Sequence, residues 1–540
     1  MRWTATIAQG RPNRAPPGAP TLPPVETPQP LPWWRSGVVY QVYPRSFCDS
    51  DGSGVGDLEG VRSRLPHLAW LGIDAVWLSP FYRSPMDDFG YDVADFCDVD
   101  PLFGDLEAFD RLLADAHELG LRVLVDLVPN HTSDQHPWFQ ASRRSRDDPR
   151  RSWYVWRDPE PDGSPPNNWM GAFLEGPAWT FDEPTGQWYL HQFLPQQPDL
   201  NWDEPEVVDA MQGVMRFWLD RGVDGFRIDV VHCIGRDPSF PDDEPPWDQI
   251  PHCASNEHPS THGHIRAMRR LADSYPGDRV LIGETALPGT RWVAPYYGYG
   301  DELHLAFNFA ATHAPWDAAS WRHRIDRVVD ELTPRDAWPT WVLSNHDVPR
   351  HRTRYGGSEA RARAAAVAVL TQRGTPVLYA GEELGLEDAT VPTDRVVDPG
   401  GRDGCRAPIP WERAAPHGWG PEPWLPFPPH AAEQSAEAQL DDPTSILHLY
   451  RRMLAARRGS LALQVGDLAM LDAPDGVLAW RRTAPLADGS IDERITVISF
   501  VADPVEVPLQ GTVEVCSDGA GEGDPFSGTL PGDTAIVLRP

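Results

Sequence analysis

The sequence predicts a (β/α)8 barrel of the TIM type that carries two insertions and a C-terminal antiparallel β domain. Short apolar runs alternate with amphipathic segments from residue 38 onward, which is typical of repeated β–α units around a parallel sheet. Two intervals are too long for ordinary loops, and after residue 460 the pattern changes to short alternating runs. The eight predicted strands are 38–47, 73–81, 121–130, 223–231, 279–285, 304–309, 338–345 and 376–381.

Amphipathic segments lie between most of these strands. In the second of them, Ala108, Phe109, Leu112, Leu113 and Ala116 recur at the spacing of a helix and form one apolar face. The pattern therefore predicts helices that pack on the outside of the barrel, at 58–71, 106–119, 206–221, 264–275, 316–332, 358–372 and 445–458.

These elements divide the chain into several parts. Residues 1–35 are rich in proline, lack the apolar run of a signal peptide and are expected to be disordered. The barrel is expected at 36–131 and 205–460, with an inserted lobe at 132–204 after the third strand, a second small insertion at 386–434 after the eighth strand, and the C-terminal β domain at 461–540.

Composition excludes several classes of function. The 540 residues contain 79 acidic and 47 basic side chains, a net charge of −32, which argues against nucleic acid or an anionic membrane as a partner. No segment approaches the roughly 18 to 20 apolar residues that span a membrane. The six cysteines show no CxxC spacing, so neither a disulfide scaffold nor a zinc ribbon is expected. A monomer or small homo-oligomer in the reducing cytoplasm fits this pattern.

Charged residues stand where three of the predicted barrel strands end. The fourth strand ends in Arg227 and Asp229, the fifth in Glu284 and the seventh in Asp347. Charged side chains inside a buried parallel strand are costly unless they open into a polar site. A single acid at a strand end can be a cap or an ion-pair residue. Three acids and one arginine at the same end of a barrel favour an active site.

At this point the chain resembles the α-amylase-type family of glycoside hydrolases, glycoside hydrolase family 13, over residues 38–540. The segment 197–201 resembles the α-glucosidase and oligo-1,6-glucosidase branch of that family rather than its endo-acting amylases. The motifs that carry the resemblance are DLVPNH at 126–131, QPDLN at 197–201, GFRID at 225–229, GE at 283–284, NHD at 345–347 and GTPVLYAGEE at 374–383.

The resemblance implies a retaining mechanism. Asp229 would be the nucleophile that forms a glucosyl ester, and Glu284 would protonate the leaving oxygen and later activate water. Asp347 would hold sugar hydroxyls and favour ring distortion. Glu284 should have a raised pKa, and Asp229 should stay ionised, helped by Arg227. No cofactor is expected for the chemistry.

Further residues are implied to bind the sugar. His131 and His346 would donate to hydroxyls of one glucose unit, with a structural histidine in a polar cleft as the alternative for each. Tyr91, in the segment DFGYD, resembles the family tyrosine that stacks beneath the sugar ring.

A further pair is implied to close the pocket. Asp88, three residues before Tyr91, would pair with an arginine after the eighth strand and block the non-reducing end. Arg402 is the preferred partner and Arg406 the competitor, while a surface salt bridge is the alternative reading of the pair. A pocket closed in this way would bind one terminal glucose, so the enzyme would be exo-acting.

The linkage is less strongly indicated than the class. In the resembling branch, a valine directly after the nucleophile accompanies α-1,6 cleavage, and Val230 stands there. A β-branched residue at that position also suits packing alone. The expected substrates are small α-glucosides with α-1,4 or α-1,6 linkages.

The segment 49–57 resembles the calcium loop that follows the first strand in this branch. Asp49, Asp51 and Asp57 would offer carboxylates, Ser53 a hydroxyl and Val55 its carbonyl to Ca²⁺ or Mg²⁺. The family usually has an acid where Ser53 stands, so affinity should be lower. A glycine-rich turn without a metal is the alternative.

Two rival functions remain. A transglucosylase or isomerase of the trehalose synthase or sucrose isomerase type would use the same residues and differ in how well water is excluded. A non-catalytic relative, such as the amylase-like subunit of amino-acid transporters, would be expected to lack part of the acidic triad and to carry a membrane anchor. The presence of Asp229, Glu284 and Asp347 argues against it.

Overall fold

The computed structural model describes residues 31–172, 176–243, 257–287 and 289–540. The predicted disordered segment therefore lies mostly outside the described residues. Its last part differs from the prediction, because Trp33–Ser36 form a short helix. Trp34 is buried in an apolar cluster with the interior barrel residues Val39 and Val377. The packed barrel thus begins before the predicted boundary at residue 35.

Eight parallel strands form the central sheet, which confirms the predicted barrel. In chain order they are β1 (Val39–Val42), β2 (Ala75–Leu78), β3 (Arg122–Leu127), β4 (Gly225–Ile228), β5 (Val280–Gly283), β6 (Leu305–Ala306), β7 (Thr340–Val342) and β8 (Thr375–Tyr379). Their spatial order is β6-β5-β4-β3-β2-β1-β8-β7.

A side chain links the two end strands of this sheet. Thr340 Oγ1 on β7 donates to the Ala306 carbonyl on β6 at 2.9 Å, and accepts from the Asn308 backbone N–H at 3.0 Å. This hydroxyl provides hydrogen-bond partners for backbone groups in and just after β6. The sheet is thereby nearly closed.

The helices that surround the barrel agree with the predicted segments to within a few residues. Aspartate and serine side chains cap several of them; Asp105, for example, accepts from the Ala108 N–H. Between β5 and β6, the described residues form the short helix Thr290–Val293 and the 3-10 turn Ala294–Tyr297. The main outer helices are Leu58–Leu71, Leu106–Glu118, Pro205–Arg221, Ser260–Asp273, Ala318–Leu332, Glu359–Thr371 and Ile446–Arg458; shorter ones are Pro44–Phe47, His351–Arg354, Ala436–Leu440 and Leu461–Val465.

The inserted lobe follows β3, as predicted for the fold. It contains the helix Pro137–Arg144 and a three-stranded antiparallel sheet of Trp156–Arg157, Trp179–Asp182 and Gln187–Leu190. Trp169 and Trp179 are buried in its small apolar core. These two aromatic side chains therefore stabilise the lobe and are unavailable to a ligand. A separate pair of short strands, Tyr82–Arg83 and Asp95–Val99, precedes the lobe.

Two further parts complete the chain. Between Tyr379 and the helix Ala436–Leu440, the long segment after β8 contains only the 3-10 turns Thr393–Arg395 and Asp403–Arg406. The C-terminal sheet is antiparallel and consists of Asp467–Leu471, Val477–Pro485, Ile491–Ser499, Ala535–Arg539 and Thr512–Cys516, with the pair Val505–Glu506 and Thr529–Leu530 beside it. Among the described residues, no helix combines the length and apolar character needed to cross a membrane.

Candidate active site

Arg227 lies at the centre of the site and contacts three carboxylates. Its Nη1 atom is 2.7 Å from Asp126 and 2.6 Å from Asp229, and its Nη2 atom is 2.5 Å from Glu284. The Arg227 side chain is only 2% exposed. Because β3, β4 and β5 are neighbours in the sheet, the acids at their carboxyl ends converge on one guanidinium.

The backbone after β4 has an unusual conformation. Val230 has φ 31° and ψ 45°, in the left-handed region that β-branched residues rarely adopt. Its N–H donates to the Glu284 carboxylate at 3.2 Å. Strained backbone of this kind persists only where the surroundings over-determine it. Here it brings the residue after Asp229 against the side chain of Glu284.

The electrostatics of this cluster are set by burial. Burial raises the pKa of Asp229, the Glu284 and Asp126 carboxylates add to the increase, and Arg227 opposes it. Burial likewise raises the pKa of Asp126 to about 6 against the influence of Arg227. One guanidinium beside three carboxylates cannot compensate all their charges, so the cluster favours retaining a proton. Arg227 lowers the pKa of Asp229 as expected, but burial outweighs this effect and opposes the expectation that Asp229 stays ionised.

Asp347 lies in a different environment. It is 3.0 Å from Arg402 and 3.3 Å from Arg406, and its side chain is 29% exposed. Burial acts to raise its pKa, but His346, Arg402 and Arg406 hold the pKa well below its usual range. Asp347 is thus an anion across the neutral pH range and faces the open part of the site.

Asp88 forms the predicted pair with Arg402. The Arg402 Nη2 atom donates to Asp88 Oδ1 at 2.6 Å, and Gln197 Nε2 donates to Asp88 Oδ2 at 3.0 Å. The Asp88 side chain is 6% exposed, so the pair is not a surface salt bridge. Arg406, the competing candidate, contacts Asp347 instead.

The two histidines are buried and neutral at pH 7. Burial lowers the pKa of His131 to about 4, and burial together with nearby charges lowers that of His346 to about 3. His131 Nε2 lies 3.2 Å from the Tyr91 carbonyl and 3.1 Å from Gln197. Gln41 Nε2 lies 2.7 Å from His346 Nδ1, an arrangement that assigns the ring proton to Nε2, toward Asp347.

Tyr91 and His346 are stacked. Their ring centroids are 5.3 Å apart with an interplanar angle of 4°. The Tyr91 hydroxyl is 3.4 Å from Arg227 Nη1, and the ring is 5% exposed. The structure therefore brings all nine predicted catalytic and sugar-binding residues into one connected site at the carboxyl end of the barrel.

Comparison with known proteins gives the family. A protein-family model described as "Alpha amylase, catalytic domain" matches residues 41–466. The chain belongs to the α-amylase family. A probable α-glucosidase from Rhizobium meliloti (strain 1021) is 41% identical over 486 residues, which cover 84% of this chain and 87% of that protein. An oligo-1,6-glucosidase from Parageobacillus thermoglucosidasius is 37% identical over 498 residues, covering 82% and 87%.

Solved structures of this family are also similar over most of the chain. The α-glucosyl transfer enzyme XgtA matches with a TM-score of 0.87 and 40% identity, covering 94% of this chain and 100% of that one. The trehalulose synthase MutB from Pseudomonas mesoacidophila MX-45 matches with a TM-score of 0.86 and 34% identity at the same coverage. The chain is therefore an enzyme, a glycoside hydrolase of the α-amylase family whose relatives include α-glucosidases and oligo-1,6-glucosidases.

Several residues of the site were not predicted as site residues. Asp126 and Gln197 lie within quoted family motifs, and those motifs were the signal that could have identified them. Asp398 and Gln41 had no such signal. Asp398 accepts hydrogen bonds from Arg402 and Arg406, and Gln41 orients His346.

The predicted metal-binding loop at 49–57 is separate from the residues described above. The carboxylates of Asp49, Asp51 and Asp57 offer oxygens that all lie within 4.8 Å of one another, which fits a hard cation. Ser53 is exposed, and its Oγ donates to the Val55 carbonyl at 3.2 Å.

The same loop is joined to the segment after β8. The Gly420 N–H donates to Asp49 Oδ2 at 2.8 Å, and the Trp424 N–H donates to the Gly54 carbonyl at 2.9 Å. Gly54 has φ +87°, and a Cβ atom there would lie 2.1 Å from the Glu422 carbonyl oxygen. Only glycine therefore permits this close approach.

Proposed function

We propose that the chain is an exo-acting retaining α-glucosidase that removes one terminal glucose from short α-1,4- or α-1,6-linked glucosides. The observation that carries the proposal is the position of Arg227, which holds Asp229 and Glu284 on adjacent nitrogens of one guanidinium. A retaining enzyme needs two carboxyl groups on opposite sides of one glycosidic bond, about 5 to 5.5 Å apart. The buried Asp88–Arg402 pair supports exo action, because in this position it would close the far end of the pocket.

In the first step, an Asp229 oxygen attacks the anomeric carbon and forms an ester as the bond to the leaving oxygen breaks. Glu284 gives its proton to that oxygen, so the leaving sugar departs as a neutral alcohol. In the second step, Glu284 takes a proton from water, the hydroxide adds to the anomeric carbon, and the ester breaks to regenerate Asp229.

The remaining residues bind and distort the sugar. Asp347 is anionic and accepts hydrogen bonds from sugar hydroxyls, while His346 offers its Nε2 proton beside it. His131 serves the same glucose once the sugar displaces its present contacts. Tyr91 supplies the apolar surface beneath the ring.

A transglucosylase or isomerase is the second candidate. It is supported by the similarity to an α-glucosyl transfer enzyme and to a trehalulose synthase, both above a TM-score of 0.85. The same glucosyl ester would then pass to a sugar hydroxyl rather than to water.

The experiment is to incubate the protein with maltose, isomaltose, sucrose and trehalose and to resolve all products. Free glucose with the α-configuration, lost in the Asp229→Asn variant, is the expected result. A rearranged disaccharide with little free glucose would instead assign the isomerase function. No turnover by the folded wild-type chain would contradict both.

We also propose that the loop 49–57 holds a structural Ca²⁺ through Asp49, Asp51, Asp57, Ser53 and the Val55 carbonyl. Proximity of the three carboxylates supports it. The ion would neutralise charge and fix the loop. Ser53 supplies a neutral ligand where a carboxylate would bind more tightly.

We also propose that the protein works in a reducing compartment, the cytoplasm, where free thiols persist. The described cysteines, Cys48, Cys97, Cys233, Cys405 and Cys516, are all free and four of them are buried.

A further inference from the structure

Asp398 has no predicted role, yet it makes a dense set of contacts with the arginine that closes the pocket. Its carboxylate accepts from the Arg402 backbone N–H at 2.7 Å, from Arg402 Nε at 3.0 Å and from Arg402 Nη2 at 2.7 Å. Arg406 Nη1 adds a bond of 3.1 Å. Hydrogen bonds of this charge-assisted kind are the strong and geometrically specific ones.

Burial separates the role of Asp398 from that of Asp347, although both carboxylates touch both arginines. The Asp347 side chain is 29% exposed, whereas the Asp398 side chain is 0% exposed. Asp398 therefore lies behind the guanidinium groups and cannot reach a ligand in the pocket.

Charge explains why an acid is needed there. Arg402 and Arg406 bring two positive charges to Asp88 and Asp347, and Arg402 contacts both of these pocket acids. Among the described residues, Asp347 is the other carboxylate seen to contact both arginines. Without Asp398, their guanidinium groups would compete for Asp347, and Arg402 would be drawn away from Asp88.

We infer that Asp398 is a positioning residue that holds Arg402 against Asp88, and thereby sets the closed end of the sugar pocket. Asp403 supports it from behind, since Asp403 Oδ2 accepts from the Val397 N–H at 2.8 Å and the Asp398 N–H at 3.2 Å. The 398–403 turn thus holds the Arg402 guanidinium through its own hydrogen bonds.

The test is Asp398→Asn, measured in the wild-type background and in an Arg402→Ala background. The amide keeps the side-chain shape but turns an N–H group toward the arginine donors. We expect kcat/KM on the preferred disaccharide to fall about 10- to 100-fold in the wild-type background, mostly through KM. In the Arg402→Ala background the same change should cost less than about twofold, because the residue on which Asp398 acts is gone.

Asp182→Asn is the matched control. Asp182 is also 0% exposed and accepts from Arg143 at 2.6 Å, but it lies in the inserted lobe. The Asp182→Asn variant should have a lower melting temperature but a kcat/KM within about twofold of the wild-type value. If the asparagine variant fails to fold, Asp398→Glu replaces it in the same two backgrounds. This change keeps the charge and moves the carboxylate by one methylene.

Equal losses in both backgrounds, or an unchanged kcat/KM in the wild-type background, would overturn the inference. It rests on the proposed glucosidase function, and the wild-type rate tests that function separately. A wild-type chain that turns over no α-glucoside contradicts the proposed function. A loss that does not depend on Arg402, in an active chain, contradicts the role of Asp398.

Discussion

Arg402 Nη2 lies 2.6 Å from Asp88 Oδ1, although 314 positions separate the two residues in the chain. Asp88 comes from the loop after β2, and Arg402 from the long segment after β8. A pair between two such distant loops fixes both of them over the end of the barrel. In the proposed function, this pair would occupy the space beyond the terminal glucose.

Asp88→Ala should reduce kcat/KM on maltose and isomaltose by about 100-fold or more, because a buried charge-assisted bond at the proposed closed end of the pocket is lost. Steady-state kinetics on both disaccharides measure the effect. Asp98→Ala, which removes a partly exposed ion pair with Arg83, should change little. Near wild-type rates for Asp88→Ala would remove the pair from substrate binding.

Glu284→Gln and Asp229→Asn should respond differently to the leaving group. An aryl α-glucoside with an acidic phenol leaves without protonation, so Glu284→Gln should lose about 100-fold less kcat/KM on it than on a disaccharide. Asp229→Asn should lose both activities alike, because no ester forms. Parallel assays on the two substrate types check this. If Glu284→Gln lost as much activity on the aryl glucoside as on the disaccharide, the result would contradict its role as the acid.

Val230→Ala should lower the ratio of isomaltose to maltose hydrolysis. The side chain follows Asp229 directly and is 9% exposed, so removing two methyl groups changes the pocket beside the glycosidic bond. The ratio of the two kcat/KM values is the measurement, with the melting temperature as a check on folding. A ratio that stays constant in a stable variant would show that the linkage preference lies elsewhere.

Calcium should raise the melting temperature, and excess EDTA should lower it, because the proposed ion would bind the folded loop at 49–57 and not the unfolded chain. Ser53→Asp adds a fourth carboxylate and should increase calcium affinity about tenfold. Calorimetry on dialysed protein tests both statements. Identical melting curves with calcium and with EDTA would assign the loop as a plain turn.

Glu382→Gln should stabilise the protein increasingly as the pH rises from 5 to 8. Burial raises the pKa of Glu382 from its ordinary 4.5 to about 8. The stability linked to the protonated group is complete below pH 4.5 and is lost as the pH rises toward 8, since only the unfolded chain then ionises freely. The loss is on the order of 3 to 5 kcal/mol, and glutamine does not suffer it.

Melting temperatures of wild type and Glu382→Gln across this pH range provide the measurement. Glu433→Gln, at an exposed position, is the control and should give a constant difference. A constant difference for Glu382→Gln as well would show that the carboxyl does not titrate in this range.

The barrel was predictable because its periodic apolar pattern is long and repeated. All eight strands occur at the predicted apolar runs, although each is shorter than predicted; the first ends at Val42 because Pro44–Phe47 form a helical turn. The helix Trp33–Ser36 was not predicted because four residues next to a proline-rich segment show no period. Its anchor, the burial of Trp34 against distant strands, is a tertiary effect.

The site was predictable to the extent that motifs mark it. Asp229, Glu284 and Asp347 stand at strand ends, where the period of the strand identifies them. Asp398 lies in a long segment without strands or α-helices, so no pattern relates it to Arg402. Its role depends on which charges meet in space, and only the folded structure shows this.

The close approach of Gly54 to the 420–424 segment has a consequence for enzyme kinetics. That segment belongs to the same insertion that carries Arg402, so a loop that lost the proposed calcium would hold Arg402 less firmly at the proposed closed end of the pocket. Substrate would then bind more weakly while the bond-breaking carboxylates stayed in place. In steady-state measurements EDTA would resemble a competitive inhibitor, although the chelator never enters the pocket.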